Sequence, residues 1–242
     1  IICLDDPELK RILKNIKTKN YLTYGFDEKS NYQIINASYK LGYSKFNLKI
    51  KKIGIKKKII KNILLSLIGK HNILNATSSI AICLNLGIKV DTIKRALKSF
   101  SGVERRLTKI FTIKKIEFYD DYAHHPTEIK SVLDGLRQVY KKRKIISVFQ
   151  PHRFSRVKQL KKEFAKCFEL SDLVILCPIY PAGEKKDKTY NQFNFAKLIS
   201  KNSNTQVIVI NKEEDLRKYL KKNLINNEIV IGMGAGSISK WM

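Results

Sequence analysis

Cysteine, proline, glycine and arginine are all scarce in this 242-residue chain, which holds 4 Cys, 5 Pro, 11 Gly and 9 Arg. The cysteines, Cys3, Cys83, Cys167 and Cys177, form no CxxC pair and sit among apolar residues. They read as small buried hydrophobes of a reducing compartment, which argues against a disulfide scaffold and against a metal or redox centre. A hydrophobic content of 43% with 10% aromatic residues excludes a disordered or collagen-like chain. No apolar run approaches the roughly 18–20 residues of a membrane span; the longest, at 59–68 and 173–180, are short and broken by polar residues or proline. The chain opens Ile1-Ile2-Cys3-Leu4-Asp5-Asp6, with neither a basic start nor a small-residue cleavage site. No secretory leader is therefore expected, the location expected is cytoplasmic, and the missing initiator Met leads us to expect that the polypeptide begins earlier.

Acidic residues are also few. Against 48 Lys+Arg stand 21 Asp+Glu, a formal charge of +27. That charge invites a nucleic-acid reading, but 39 of the 48 cations are Lys, accompanied by 33 Ile and 17 Asn. All three residues have AT-rich codons, so coding bias would push tolerant surface sites toward Lys. A nucleic-acid reader favours Arg, which stacks and bonds bidentately. The basic runs, at 56–58, 141–144, 161–162, 185–186 and 221–222, are scattered and read as solvated faces or turns. Neither a nucleic-acid nor a membrane partner is expected.

The first hundred residues mix strands with helices. Asp6 is placed to cap a helix that Pro7 starts and that runs to about Ile16. Segments 21–26, 31–39, 43–50 and 57–67 read as strands; in the third, Phe46, Leu48 and Ile50 alternate with Lys45, Asn47 and Lys49. Gly69-Lys70-His71-Asn72 reads as a loop, followed by a buried helix over 72–86 closed by Gly87 and a second helix capped by Asp91. A domain boundary is expected near 104, giving units 1–104 and 105–242. In the second unit, strands at 117–121, 144–149, 173–178, 206–210 and 228–232 alternate with helices at 127–140, 155–170, 191–201 and 213–223. This repetition predicts an α/β fold with right-handed crossovers and a mainly parallel sheet. Ligands of such sheets bind beyond the carboxyl ends of the strands.

Unusual residues fall at those ends. Asp120-Asp121-Tyr122-Ala123-His124-His125-Pro126-Thr127-Glu128 follows the first strand of the unit, and Gln150-Pro151-His152-Arg153-Phe154-Ser155-Arg156 the second. Tyr180-Pro181-Ala182-Gly183-Glu184 and Gly232-Met233-Gly234-Ala235-Gly236-Ser237 follow two others. Three of the four histidines lie in two of these loops, and His71 is expected in a loop as well. Together the loops bring carboxylates, imidazoles and arginines to one edge, an anion-handling site with acid/base capacity. Bland readings stand beside this one: an Asx turn for Asp120-Asp121, an ordinary first helical turn for Arg153 and Arg156, and a tight turn for the glycines. Zinc is disfavoured because adjacent histidines point apart and no third ligand has suitable spacing. A helix start disfavours cations, so two arginines there suggest an arriving anion. Asn72 and Asn75, three apart, are either a cap or a pair that reads a base edge.

The ordered set Gly69-Lys70-His71-Asn72-Ile73-Leu74-Asn75-Ala76, Gly102…Arg105-Arg106, the stretch 120–128, the stretch 149–156, the stretch 180–184 and Gly234-Ala235-Gly236-Ser237-Ile238 resembles the Mur ligase family across nearly the whole chain. The resemblance implies a C-terminal Rossmann-like domain preceded by the last part of a central α/β ATPase domain. It implies an ATP-dependent ligase of peptidoglycan precursor synthesis whose partners are UDP-N-acetylmuramate, L-alanine and ATP, with Mg2+ as cofactor. Carried over by motif, Asn72 and Asn75 contact the adenine side of ATP, and Arg106, with Arg105 as the second choice of the pair, reaches the nucleotide across the domain cleft. Asp121 helps hold the nucleotide by its ribose or a magnesium-bound water. His124, Arg153 and Arg156 bind and orient the amino acid and the reacting carboxylate.

The departures are large. The phosphate loop G-x-x-x-x-G-K-S/T is missing, because the single Gly-Lys pair, Gly69-Lys70, is followed by His71. The glycine fingerprint of a UDP-binding domain and the central-domain Glu and His for magnesium are missing as well, so no metal ligand is assigned. The expectation is a partial enzyme, inactive alone. Rival readings are the related ligase that reattaches a recycled tripeptide, a basic nucleic-acid-binding module, and a non-catalytic nucleotide-binding regulator.

Overall fold

The computed structural model describes residues 1–18, 20–51 and 58–242, and the chain divides into two units, Ile1–Gly102 and Val103–Met242. In the first, β1 (Ile2–Cys3) leads into α1 (Pro7–Leu13), whose N-cap Asp6 accepts a bond from the Leu9 amide at 2.9 Å. Then follow β2 (Thr23–Gly25), β3 (Tyr32–Lys40), β4 (Tyr43–Ile50) and β5 (Lys58–Leu65). Residue 57, the first of the expected fourth strand, lies outside the described residues, as does residue 56 of the first basic run. The five strands form one sheet in chain order, with β1, β2 and β3 parallel and β3, β4 and β5 antiparallel. As the alternation predicted, Phe46, Leu48 and Ile50 face the core, where they meet Ile73, Ile80 and Ala81 of α2 (Lys70–Asn85) and Ile93 of α3 (Val90–Ser99). This half-solvated patterning is what an antiparallel sheet with helices on one face requires.

Two expectations in this unit need correction. The stretch 69–72 is not a loop: Gly69 is the N-cap, and Lys70, His71 and Asn72 form the first turn of α2. His71 is thus a helical residue, outside the pattern of histidines on strand-end loops. Nor is Asp91 a cap, for α3 starts one residue earlier with Lys89 at the N-cap, and Asp91 sits in the first turn, where its charge still favours the helix N-terminus. Gly87 closes α2 as expected, with Gly87 N bonded to Leu84 O and Ile88 N to Cys83 O.

The second unit opens with a strand that alternation did not reveal, β6 (Thr108–Ile113), paired antiparallel to β7 (Ile116–Asp121) at the sheet edge. Its residues are mostly exposed, so no buried period marks it. Next come α4 (Pro126–Val139), β8 (Ile145–Phe149), α5 (Phe154–Gln159), α6 (Lys161–Phe164) and β9 (Leu173–Leu176). The remainder is α7 (Gln192–Ser203), β10 (Gln206–Val209), α8 (Glu213–Asn223), β11 (Ile229–Met233) and α9 (Ile238–Trp241). The single helix expected over 155–170 is interrupted at Leu160 (φ −106°, ψ 26°), between α5 and α6.

Strand order is β10-β9-β8-β11-β7-β6, parallel except for the β6 edge. The central strands are buried on both faces and therefore read as continuous apolar runs. Ile145 and Phe149 of β8 join a core with α4, α6 and α7; Ile146 and Val148 join the opposite one with α8 and α9. This is the mixed α/β, Rossmann-like arrangement expected for the second unit. It places the loops after β7, β8, β9 and β11 at one end of the sheet.

Candidate functional site

The loop after β7 is built on Asp121. Its carboxylate, 2% exposed, accepts the Ala123 amide through Oδ1 and the Leu107 amide through Oδ2, each at 2.7 Å. Burial pushes this carboxyl up to about 6, although the two amides and the nearby Arg106 charge act the other way. His125 then caps α4: its Nδ1 accepts the Thr127 amide, and Glu128 reaches back to the amides of His124 and His125 at 3.1 and 3.2 Å. With its neighbour committed to the cap, His124 projects separately. Its Nδ1 lies 2.9 Å from the Tyr122 carbonyl, an acceptor only, and 3.5 Å from a Glu128 carboxylate oxygen, so Nδ1 carries a proton and Nε2 is the nitrogen turned away from both.

The loop after β8 meets this one. The His124 and His152 rings lie 5.5 Å apart, and His152 stacks on Tyr180 at 5.7 Å and 12°. Arg156, which can only donate, bonds His152 Nδ1 at 3.1 Å and so places that ring's proton on Nε2. Burial lowers the His152 pKa below its usual value, and the charges of His124, Arg156 and Arg153 lower it further. Arg153 is the N-cap of α5 at φ +68°, its amide bonded to Tyr180 O at 2.9 Å. Among the described residues, neither Arg153 nor Arg156 forms an ion pair. The anion expected at the start of their helix is met in part by the protein itself, since Glu184 accepts the Ser155 amide at 3.1 Å and the Ser155 hydroxyl. The site therefore joins His124, His152, Arg153 and Arg156, with Glu128 and Glu184 beside them.

Tight turns bring these loops together. Gly234 (φ +152°) and Gly236 lie against the β8 loop, where an added Cβ would stand 2.7 Å from Gln150 O and 2.5 Å from Gln150 Oε1. The glycines thus serve a close turn from β11 into α9, which Gln150 fastens through Ile238 N at 3.1 Å and Ser237 Oγ at 3.2 Å. The two adjacent arginines before β6 differ sharply. Arg105 is committed to Asp120 Oδ2 at 3.1 Å and to the Gly234 carbonyl, whereas the Arg106 side chain is 54% exposed with a loose 3.8 Å pair to Glu128.

In the first unit, Asn72 donates to Ile68 O at 2.8 Å, and Asn75, one turn on along α2, is exposed. Among the described residues no group of three or more His, Cys, Asp or Glu is arranged to hold a metal ion, and no helix is long and apolar enough to cross a membrane. All four cysteines are free, with Cys167 and Cys177 buried and Cys3 and Cys83 half-buried. His152, Gln150 and Tyr180 lie in the strand-end stretches marked by sequence but were assigned no role there, though the clustering of histidines in two loops was the signal for His152.

Residues 105–236 match the Mur ligase glutamate ligase domain and residues 1–83 the Mur ligase middle domain. The chain is 49% identical over its whole length to the UDP-N-acetylmuramate–L-alanine ligase of Pelagibacter ubique and 35% identical to that of Bartonella tribocorum, covering 52% and 51% of them. It is also similar to the crystal structure of UDP-N-acetylmuramate-alanine ligase from Thermotoga maritima, with a TM-score of 0.75 and 26% identity over 99% of this chain and 49% of that one. The chain thus spans about half the length of these relatives. With its second unit matched almost end to end, and the loops of that match carrying the cationic cluster, the chain belongs to the Mur ligase family.

Proposed function

We propose that this chain is the part of a cytoplasmic, ATP-dependent ligase that completes the nucleotide site and binds the amino acid, joining L-alanine to the lactyl carboxylate of UDP-N-acetylmuramate. The observation that supports it most is the cluster of His124, His152, Arg153 and Arg156 at the carboxyl ends of β7 and β8, where among the described residues neither arginine forms an ion pair. In this reading the γ-phosphoryl of ATP passes to the lactyl carboxylate, the alanine amine attacks the acyl carbon, and the C–O bond to phosphate breaks. Each stage carries negative charge, so Arg153 and Arg156 hold carboxylate and acyl phosphate while positioning lowers the barrier. His124 orients the amino acid through the free Nε2 that its Tyr122 bond fixes. Arg106, held only by a loose pair to Glu128, meets the nucleotide; Asn72 and Asn75 meet its adenine. Buried Asp121 acts by fastening Leu107, and hence Arg106, rather than by reaching a ligand. Magnesium would belong with the phosphate loop, which this sequence lacks.

The names of the relatives favour alanine over a recycled tripeptide as the acceptor. The test is phosphate release by the 242-residue chain alone and paired with the phosphate-loop half of the Pelagibacter ubique enzyme. We expect none from the chain alone and ATP- and L-alanine-dependent release from the pair. Release by the chain alone would refute the partial-enzyme reading, and release with tripeptide but not alanine would make it the recycling ligase.

A further inference from the structure

The loop at 180–184 has no role in the chemistry above, yet it is bonded throughout to the arginine loop. Tyr180 N donates to Pro151 O at 2.8 Å, Arg153 N donates to Tyr180 O at 2.9 Å, and the Tyr180 ring stacks on His152. Its turn closes with Glu184 N on Pro181 O at 3.0 Å, through Ala182 at φ +50° and Gly183 at φ +86°. Ala182 and Arg153 are therefore both non-glycine residues in left-handed conformations, one on each of two loops bonded to each other. Such conformations persist only when surrounding contacts over-determine them. The contact that ties the far end is Glu184, whose two oxygens take both the amide and the hydroxyl of Ser155, one of the two residues between Arg153 and Arg156. The Ser155 hydroxyl first, and then its amide, hold the Glu184 carboxyl below the usual carboxylate range, so it is ionised at neutral pH.

We infer that Glu184 is a positioning residue, fixing Ser155 so that Arg153 and Arg156 point where an amino-acid carboxylate is taken, without itself touching that ligand. This rests on the reading of Arg153 and Arg156 given above. Removing Glu184 frees the start of α5, lets Arg153 leave its left-handed conformation and disperses both guanidinium groups.

The test records the arginine Nε–H signals of the 242-residue chain by nitrogen-15 NMR while L-alanine is added, in wild type, Glu184→Ala, Glu184→Gln and Ser155→Ala. In Glu184→Ala the Arg153 and Arg156 signals should shift, and their response to alanine should weaken by about tenfold or more, the scale of losing a positioning contact. The melting temperature and the Arg137 and Arg143 signals should not change. Glu184→Gln keeps an acceptor for the Ser155 amide and should restore most of the response, with Ser155→Ala intermediate. Unmoved Arg153 and Arg156 signals in Glu184→Ala overturn the inference, and so does a general shift of all signals with a fall in melting temperature. A wild type whose Arg153 and Arg156 ignore alanine counts instead against the proposed function, while the shift in Glu184→Ala still decides the positioning.

Discussion

The two ends of the second unit's sheet are both rich in charge but treat it in opposite ways. At the amino end, Glu117, the second residue of β7, receives the Tyr119 and Tyr140 hydroxyls at 3.0 Å, Lys109 Nζ at 2.8 Å and the Arg143 guanidinium. Arg143 in turn donates to the carbonyls of Lys115, Asn227 and Glu228, tying three chain crossings together. Burial would raise the Glu117 carboxyl, but these donors outweigh it and hold the group at about 2. At the carboxyl end, Arg153 and Arg156 form no ion pair among the described residues, although Glu184 lies near enough for Arg153 to stabilise its charge, and His152 is disfavoured in its charged form by burial and by the arginines. The comparison separates a network that is complete without a ligand from one that needs an anion to be balanced. Equal polarity at the two ends is used differently, because among the described residues the arginines of the β8 loop are the ones without an ion pair.

The largest test of this contrast is Glu117→Gln. Removing one charge of a buried pair strands Arg143, so unfolding in urea should show a loss of about 3 kcal/mol, with the response of Arg153 and Arg156 to alanine unchanged. Loss of that response instead would mean the two ends are not separable. Next in size is Asp121→Asn: an amide presents one acceptor where the carboxylate satisfied two backbone donors, so about 1–2 kcal/mol should be lost, and the Arg106 signal should broaden as Leu107 is released. Acid titration sharpens the same point. Because Glu117 is depressed from 4.5 to about 2, its contribution is full above pH 4.5 and disappears as pH falls toward 2. The gap between wild type and Glu117→Gln should therefore narrow over that window. The smallest effect is in Arg156→Ala, where the His152 pKa, followed by proton NMR, should rise toward its ordinary value while stability barely moves. A depressed histidine contributes stability above its unfolded pKa and loses it as pH falls, so this variant should also be slightly less acid-sensitive near pH 6.

Much of this was legible in the residues. Asp6-Pro7 announced a helix start, the alternation of Phe46, Leu48 and Ile50 gave the buried face of β4, and the apolar runs of β8, β9 and β11 marked a sheet covered on both sides. Short-range chemistry fails where a neighbour in space decides. β6 is exposed and held only by its pairing with β7, so its own pattern is silent. Likewise Gly69 and Lys70 looked like a loop because glycine usually ends helices, whereas here Gly69 at φ +100° starts one. Nothing in the residue types separates the adjacent arginines, and the bonds of Arg105 to Asp120 and Gly234 O leave Arg106 the less committed, with a loose pair to Glu128.

Sequence by itself determined the succession of strands and helices in the second unit, the family, and the scarcity that makes its nine arginines informative against 39 lysines. It did so because periodicity and motif order are properties of neighbours along the chain. Tertiary structure alone decided which cations are spent and which remain. It gave Arg105 and Arg143 to carboxylates, turned Glu184 onto Ser155 and set His152 between His124 and Tyr180. Residues far apart in sequence compete for the same donors and acceptors, and that competition is settled only once the sheet has gathered its loops.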